Sequence, residues 1–305
     1  MSQIFDALRR SEAERSGSDL TGLSDATELL ELAERQGGTR QVVHRAKDER
    51  QTESIGIDQF RQFQSVRVLV PPQSKLVCIT DEESLAAEKF RFLKVRLRHL
   101  QQKRLLKRLL ITSSLPEEGK SMIAANLAYT LAKKQQQRIL LLEGDLRRPS
   151  LAKQLGLGKL PGLSELLQGE PSPAMNIYQL EGLGFWILPA GSPPTDPLEL
   201  LQSRDLSALM DQLGVWFDWI VIDSPPVLPL GDTSVWMRLA DGILLVTRPG
   251  KTAKRRLQRA LEAVEQPKLL GALVNGSREA ARSEYYGYGY YARKTAVPQA
   301  AGPTE

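Results

Sequence analysis

The stretch Leu110-Ile-Thr-Ser-Ser-Leu-Pro-Glu-Glu-Gly-Lys-Ser121 joins an apolar strand to a Gly-Lys-Ser turn and then to a helix-forming run. Proteins hold nucleotide phosphates in this way. Backbone N–H groups in the turn cradle the phosphates, the positive end of the following helix attracts them, and a lysine ammonium reaches the β- and γ-phosphates. Here the lysine is Lys120, and the Ser121 hydroxyl is placed to hold Mg²⁺. Ser114, Pro116, Glu117, Glu118, Gly119 and Met122 complete the candidate binding set for ATP or GTP. Ser114 occupies the first glycine position of G-x-x-x-x-G-K-[ST], so the motif is imperfect, and Glu118-Gly-Lys-Ser121 alone could be a polar loop capping a helix.

On either side of this stretch, strands and helices alternate. After Pro71-Pro72 the apolar spacing predicts a helix over about 84–100, and strands are expected at 108–113, 138–143, 185–189, 219–223, 242–247 and 269–275. Runs such as Ile139-Leu-Leu-Leu142 and Trp219-Ile-Val-Ile222 suit strands buried on both faces. Helices between them imply right-handed crossovers, hence an α/β fold with a doubly wound, mostly parallel sheet of the P-loop NTPase kind. Ligands of such folds bind beyond the carboxyl ends of the strands.

The acidic residues fall on that edge. One expected strand ends in Glu143-Gly-Asp-Leu-Arg-Arg-Pro149 and another in Asp223-Ser-Pro-Pro226. Mg²⁺ prefers a few hard oxygen ligands plus water, which makes Asp223 a candidate metal ligand with Ser121. Glu143 and Asp145 are candidates for orienting a nucleophile or holding a metal-bound water. Each alone could be a helix cap or turn residue. Together with Gly119-Lys-Ser121 they form a catalytic candidate set of Lys120, Glu143, Asp145 and Asp223, with Ser121, Asp145 and Asp223 as the metal set.

Composition narrows the field. The 305 residues are 41% hydrophobic and can bury one α/β core with polar extensions. No run approaches the ~18–20 apolar residues that span a bilayer, and the N-terminus lacks the marks of a signal peptide, so a cytoplasmic location is expected. One cysteine, Cys78, and the isolated His44 and His99 exclude disulfides within the chain and offer no metal cluster or Ser-His pair. The formal net charge is +5, and the densest basic sets are Lys103-Arg-Leu-Leu-Lys-Arg108 and Lys254-Arg-Arg256, read first as solvated helix faces and second as membrane or partner contacts. Residues 1–75 read as a polar, weakly ordered extension with short amphipathic pieces at 4–10 and 26–34, residues 76–278 as the nucleotide-binding domain, and 279–305 as a flexible tail.

Taken together, the segments 112–121, 143–149 and 219–226 resemble the Walker A, Walker A′ and Walker B motifs of the bacterial tyrosine kinases that regulate capsule and exopolysaccharide synthesis. Gly162-Leu-Ser-Glu-Leu-Leu167, Leu188-Pro-Ala-Gly-Ser-Pro-Pro194 and Pro197-Leu-Glu-Leu-Leu201 are similar to connecting segments of that family, and Asp232 to an acidic residue after its Walker B prolines. The resemblance covers roughly residues 76 to 292. It implies an ATP- and Mg²⁺-dependent protein-tyrosine autokinase. The run Tyr285-Tyr-Gly-Tyr-Gly-Tyr-Tyr291 resembles the family's C-terminal cluster, which implies phosphorylation of Tyr285, Tyr286, Tyr288, Tyr290 and Tyr291 by a neighbouring subunit. Residues 278–294 carry a formal +2, and five phosphates would bring the segment to roughly −6 to −8. Expulsion of that tail from an acidic, Mg²⁺-binding pocket is expected.

The resemblance also makes Glu88, Arg91 and Lys94 an oligomerisation element, with lysine at the position of a final arginine. Asn275 is either an adenine contact, as in related ATPases, or a strand-end turn residue. A homo-oligomer able to close as a ring, and a separate transmembrane activator recruiting the chain to the inner membrane face, are the implied partners, with no specific nucleic acid. Glu143 stands where the family usually has aspartate, one methylene shorter. The alternatives are a ParA- or MinD-like switch ATPase, whose relatives carry a lysine where this chain has Leu115 and lack the tyrosine cluster, and a degenerate kinase acting as a nucleotide-dependent assembly factor, kept open by Glu143.

Overall fold

The computed structural model describes residues 60, 62–71, 74–133, 137–169, 173–228 and 231–276. The tyrosine run, the tail 279–305 and the amphipathic pieces at 4–10 and 26–34 lie outside the described residues. In chain order the elements are β1 (Gln64–Arg67), α1 (Val77–Thr80), α2 (Leu85–Lys103), β2 (Arg108–Ser113), α3 (Lys120–Ala132), β3 (Ile139–Glu143) and α4 (Leu151–Gln154). These are followed by α5 (Leu163–Leu167), β4 (Tyr178–Glu181), β5 (Trp186–Leu188), α6 (Pro197–Leu201), α7 (Arg204–Trp216) and β6 (Trp219–Asp223). The last are α8 (Asp232–Leu239), β7 (Gly242–Thr247), α9 (Lys254–Ala263) and β8 (Leu269–Val274).

The eight strands form one sheet in the order β1-β4-β5-β3-β6-β2-β7-β8. Every pairing is parallel except β4 with β5. The apolar runs of β2, β3, β6 and β7 are buried along nearly their whole length because helices cover both faces. Alternate residues divide between two cores. Leu110, Leu140, Leu142, Ile220 and Ile222 pack with α7, α8 and α9, whereas Leu109, Ile111, Ile139, Leu141 and Val221 pack with α2 and α3. α3 is apolar almost all round and buried at nearly every position, as a helix wedged between sheet and neighbours must be. α2 begins where Ser84 accepts the Ala87 N–H as N-cap, and Arg91 closes back on the Glu82 carbonyl.

All six expected strands are present, with ends shifted by at most one residue. Two were not anticipated. β1 is polar and mostly exposed, and β4 is four residues with alternating burial, so neither carries an apolar run. β1 corrects the boundary at residue 76: the sheet already includes residues 64–67, and Phe60 and Phe63 pack with Trp186, Trp216 and Phe217 at ring-centroid distances from 5.1 to 6.5 Å. Aromatic burial, not strand hydrophobicity, ties this segment to the domain.

Candidate functional site

Gly119 ends the loop after β2 and caps α3 with a left-handed backbone, φ 95°. A Cβ there would lie 2.2 Å from Asn275 Nδ2, so both conformation and space require glycine. Glu117 also takes a left-handed backbone, φ 63°, and its carboxylate pairs with Lys251 at 2.5 Å. Ser114, at the first motif glycine, is outside the left-handed region, which is why serine is accommodated there.

Lys120 lies at the start of α3 with its ammonium 2.9 Å from Asp145 Oδ2, 3.4 Å from Asp223 Oδ1 and 3.4 Å from the Ser121 hydroxyl. All four side chains are buried or nearly so. Burial works to lower the lysine pKa, but the two carboxylates outweigh it and the net shift is upward, so the charge is held. For Asp223 burial dominates and raises the pKa against the pull of Lys120. Asp223 pairs in register with Ile111 of β2 and Glu143 of β3, which fixes it at the carboxyl edge of the sheet. Gly144, between Glu143 and Asp145, has the Trp236 indole where a Cβ would be, 2.7 Å away, and its carbonyl accepts the indole N–H. That packing accounts for the glycine.

Glu143 is placed differently from the expectation. Its carboxylate accepts the Ser150 and Leu151 N–H groups at 2.5 Å each and the Ala190 N–H at 3.1 Å. It thereby caps α4, whose own Ser150 makes no side-chain cap, and ties that helix to the end of β5. Burial nevertheless raises its pKa, with the backbone donors opposing. The longer glutamate stem serves this reach, and Glu143 is absent from the lining of the cavity over Lys120.

That cavity has a volume of about 900 Å³ and is lined by Pro116, Glu117, Gly119, Lys120, Ser121, Met122, Asp145 and Asn275. Lys75, Arg147, Arg148 and Arg248 add four further cations, against only Glu117 and Asp145 as acids. The pocket expected to be acidic is therefore basic, because folding brings Lys75 and Arg248, distant in sequence, beside Arg147 and Arg148 of the 143–149 segment. Arg147 forks onto the buried Asp232 at 2.6 and 3.1 Å, and the Arg148 N–H donates to Asp145 Oδ1 at 3.1 Å.

Two expected contact residues turn inward. The Glu118 carboxylate accepts the Leu115 N–H at 2.9 Å and the Thr252 hydroxyl, bracing the loop, while Ser114 is buried. The Asn275 amide donates to the Glu118 carbonyl at 2.8 Å, so it holds the loop while also lining the cavity. Far from it, Arg91 pairs with Glu88 within α2 at 2.9 Å and Lys94 donates to the Lys133 carbonyl at the end of α3, contacts made inside the chain.

The oxygen donors fit Mg²⁺. Asp223 Oδ2 is buried without a hydrogen-bond partner, beside Ser121 and Asp145. Among the described residues no group of three or more His, Cys, Asp or Glu side chains gathers as a metal cage. An ion that takes one or two carboxylates and completes its shell with phosphate and water is compatible with both facts.

No protein-family model matches the chain. Over 224 residues it is 34% identical to the tyrosine-protein kinase YwqD of Bacillus subtilis, covering 73% of this chain and 93% of that protein. It is 36% identical over 170 residues to the succinoglycan biosynthesis transport protein ExoP of Rhizobium meliloti, covering 54% of this chain but only 22% of ExoP. The crystal structure of the chimerical protein CapA2B2 superposes with a TM-score of 0.62 at 27% identity, covering 73% of this chain and 97% of that one. Because the similarity to YwqD extends through nearly its whole length and not through the phosphate loop alone, the chain belongs to the bacterial tyrosine-protein kinases.

Proposed function

We propose that the chain is an ATP-dependent autokinase that phosphorylates Tyr285, Tyr286, Tyr288, Tyr290 and Tyr291 of a neighbouring copy and so regulates exopolysaccharide or capsule synthesis and export. The observation that carries this reading is the convergence of Lys120, Asp145 and Asp223 beneath a basic cavity at the N-terminus of α3. Backbone N–H groups of the loop and the Lys120 ammonium hold the β- and γ-phosphates. Bound Mg²⁺ would supply neutralisation of phosphate charge, held by Ser121 and Asp223 with Asp145 beside them. Asp145 takes the proton of the incoming tyrosine hydroxyl as its oxygen bonds to the γ-phosphorus; the bond from that phosphorus to the bridging oxygen breaks, and ADP leaves. Arg147, Arg148 and Arg248 add positive charge around the transferred group.

Similarity to ExoP, a succinoglycan biosynthesis transport protein, supports the polysaccharide assignment. A separate transmembrane activator and a homo-oligomer belong to the same reading; assembly through α2 would exchange the contacts that Arg91 and Lys94 make within the chain.

The test is incubation of the purified chain with Mg²⁺ and γ-labelled ATP, with the label located by peptide mass spectrometry. Label on residues 285–291, absent in Lys120→Met, is expected. Nucleotide binding or hydrolysis without tyrosine label would favour a ParA- or MinD-like switch.

A further inference from the structure

Six cations, Arg248, Lys251, Lys254, Arg255, Arg256 and Arg259, fall within twelve consecutive residues that contain no Asp or Glu. Two of the six are engaged elsewhere, Arg248 in the lining of the nucleotide cavity and Lys251 in its pair with Glu117, so the cations carried by α9 itself are Lys254, Arg255, Arg256 and Arg259.

The fold directs the charge of α9 outward. Leu257, Ala260, Leu261 and Val264 of the α9 segment pack into the core, so Lys254, Arg255, Arg256 and Arg259 occupy the opposite, exposed side. Arg255, Arg256 and Arg259 form no ion pair among the described residues. The other basic run behaves differently: Lys107 donates to the Gly214 carbonyl at 2.9 Å, and Arg108 to Asp211 at 2.7 Å and to the Met210 carbonyl at 3.0 Å. Those two cations fasten the start of β2 to α7, whereas Arg255, Arg256 and Arg259 face solvent together on α9, whose one acid is Glu262.

The shape of the patch selects its occupant. It is the outward side of a surface helix and not a groove, the usual seat of a peptide segment. No aromatic residue stands between 248 and 275, so stacking on single-stranded nucleic acid is not provided for. A plane of anionic headgroups needs neither groove nor stacking, only clustered cations on an outward face. We infer that α9 docks this chain on anionic lipid headgroups, by electrostatic attraction alone, while its apolar side remains in the core. This contact is independent of phosphoryl transfer.

The experiment is co-sedimentation of the full chain with vesicles of phosphatidylcholine containing phosphatidylglycerol, compared with phosphatidylcholine alone, at low and raised salt. Binding that requires phosphatidylglycerol and weakens with salt is expected. At about fivefold per cation near an anionic surface, the triple variant Arg255→Gln, Arg256→Gln, Arg259→Gln should reduce partitioning about a hundredfold. The corresponding triple Arg→Lys variant should retain it, since charge and not fork geometry is used. Circular dichroism and ADP affinity should be unchanged in both variants. Failure to bind phosphatidylglycerol vesicles, equal binding to phosphatidylcholine alone, or wild-type binding by the Gln variant would overturn the inference. Tighter binding to duplex DNA than to the vesicles, lost in the Gln variant, would assign the face to nucleic acid and overturn it as well.

Discussion

Asp223 is held fully buried with one oxygen 3.4 Å from Lys120 and the other without a partner. A carboxylate kept this way is a cost to the fold that a metal ion would relieve. Because burial raises its folded-state pKa above the unfolded value, its ionisation opposes folding, and stability falls as pH rises through the folded pKa. Asp223→Asn mimics the neutral form. The wild type should therefore lose stability relative to the variant as pH rises from the ordinary carboxylate range through the folded pKa, while phosphotransfer is lost in the variant. Thermal melts across pH check this; the same pH dependence in the Asn variant and the wild type would refute the burial argument. Lys120 and Asp223 could be read from the motif, but the orphaned oxygen could not, since it depends on what β2 and β3 leave uncovered.

Glu143 and Asp145 separate at the same scale. Asp145→Asn should lower kcat by about 10²–10⁴-fold, the range for a general base, with ADP affinity nearly kept. Glu143→Gln removes a carboxylate that faces backbone donors, so it should cost about 1–3 kcal/mol of stability and leave kcat much less affected. Steady-state kinetics beside chemical denaturation distinguish the two, and equal loss of kcat would return Glu143 to the chemistry. The sequence offered both acids as catalytic candidates at one strand end, with only Asp145 of the two in the metal set. What distinguishes them is the path of residues 149–151 back over β3, a feature of tertiary structure.

Among the elements, the central strands and α3 were readable because continuous apolar runs of strand length flank a glycine-lysine turn. β1 and β4 were not: β1 is a polar edge strand and β4, inside it, is four residues long with alternate residues exposed, so neither shows an apolar run, and their place is settled by partners distant in sequence. Phe63 is 6% exposed and packs among Phe60, Trp186, Trp216 and Phe217. Phe63→Ala should therefore destabilise the domain by about 3–5 kcal/mol, lowering the denaturation midpoint while nucleotide affinity at low temperature is retained. No loss of stability would show that β1 is not integral to the sheet. Ser84→Ala, which removes the α2 cap bonded to the Ala87 N–H at 3.2 Å, should cost about 1 kcal/mol by the same measurement.

For the whole molecule, the balance of charge was the hardest property to read. The motif acids pointed to an acidic pocket, whereas folding gathers Lys75, Arg147, Arg148 and Arg248 around Lys120 and leaves the α9 cations outside that cavity. A polyphosphate therefore meets cations from five separate positions, and ADP affinity should fall steeply with salt in titration calorimetry. The proposal that this site modifies the tail of another copy is tested most directly by mixing two chains. One carries Lys120→Met and an intact tail; the other has an intact site and is truncated before Tyr285. With Mg²⁺ and γ-labelled ATP, phosphotyrosine on the Lys120→Met chain is predicted. A Lys120→Met chain that stays unlabelled beside an active truncated partner would contradict it.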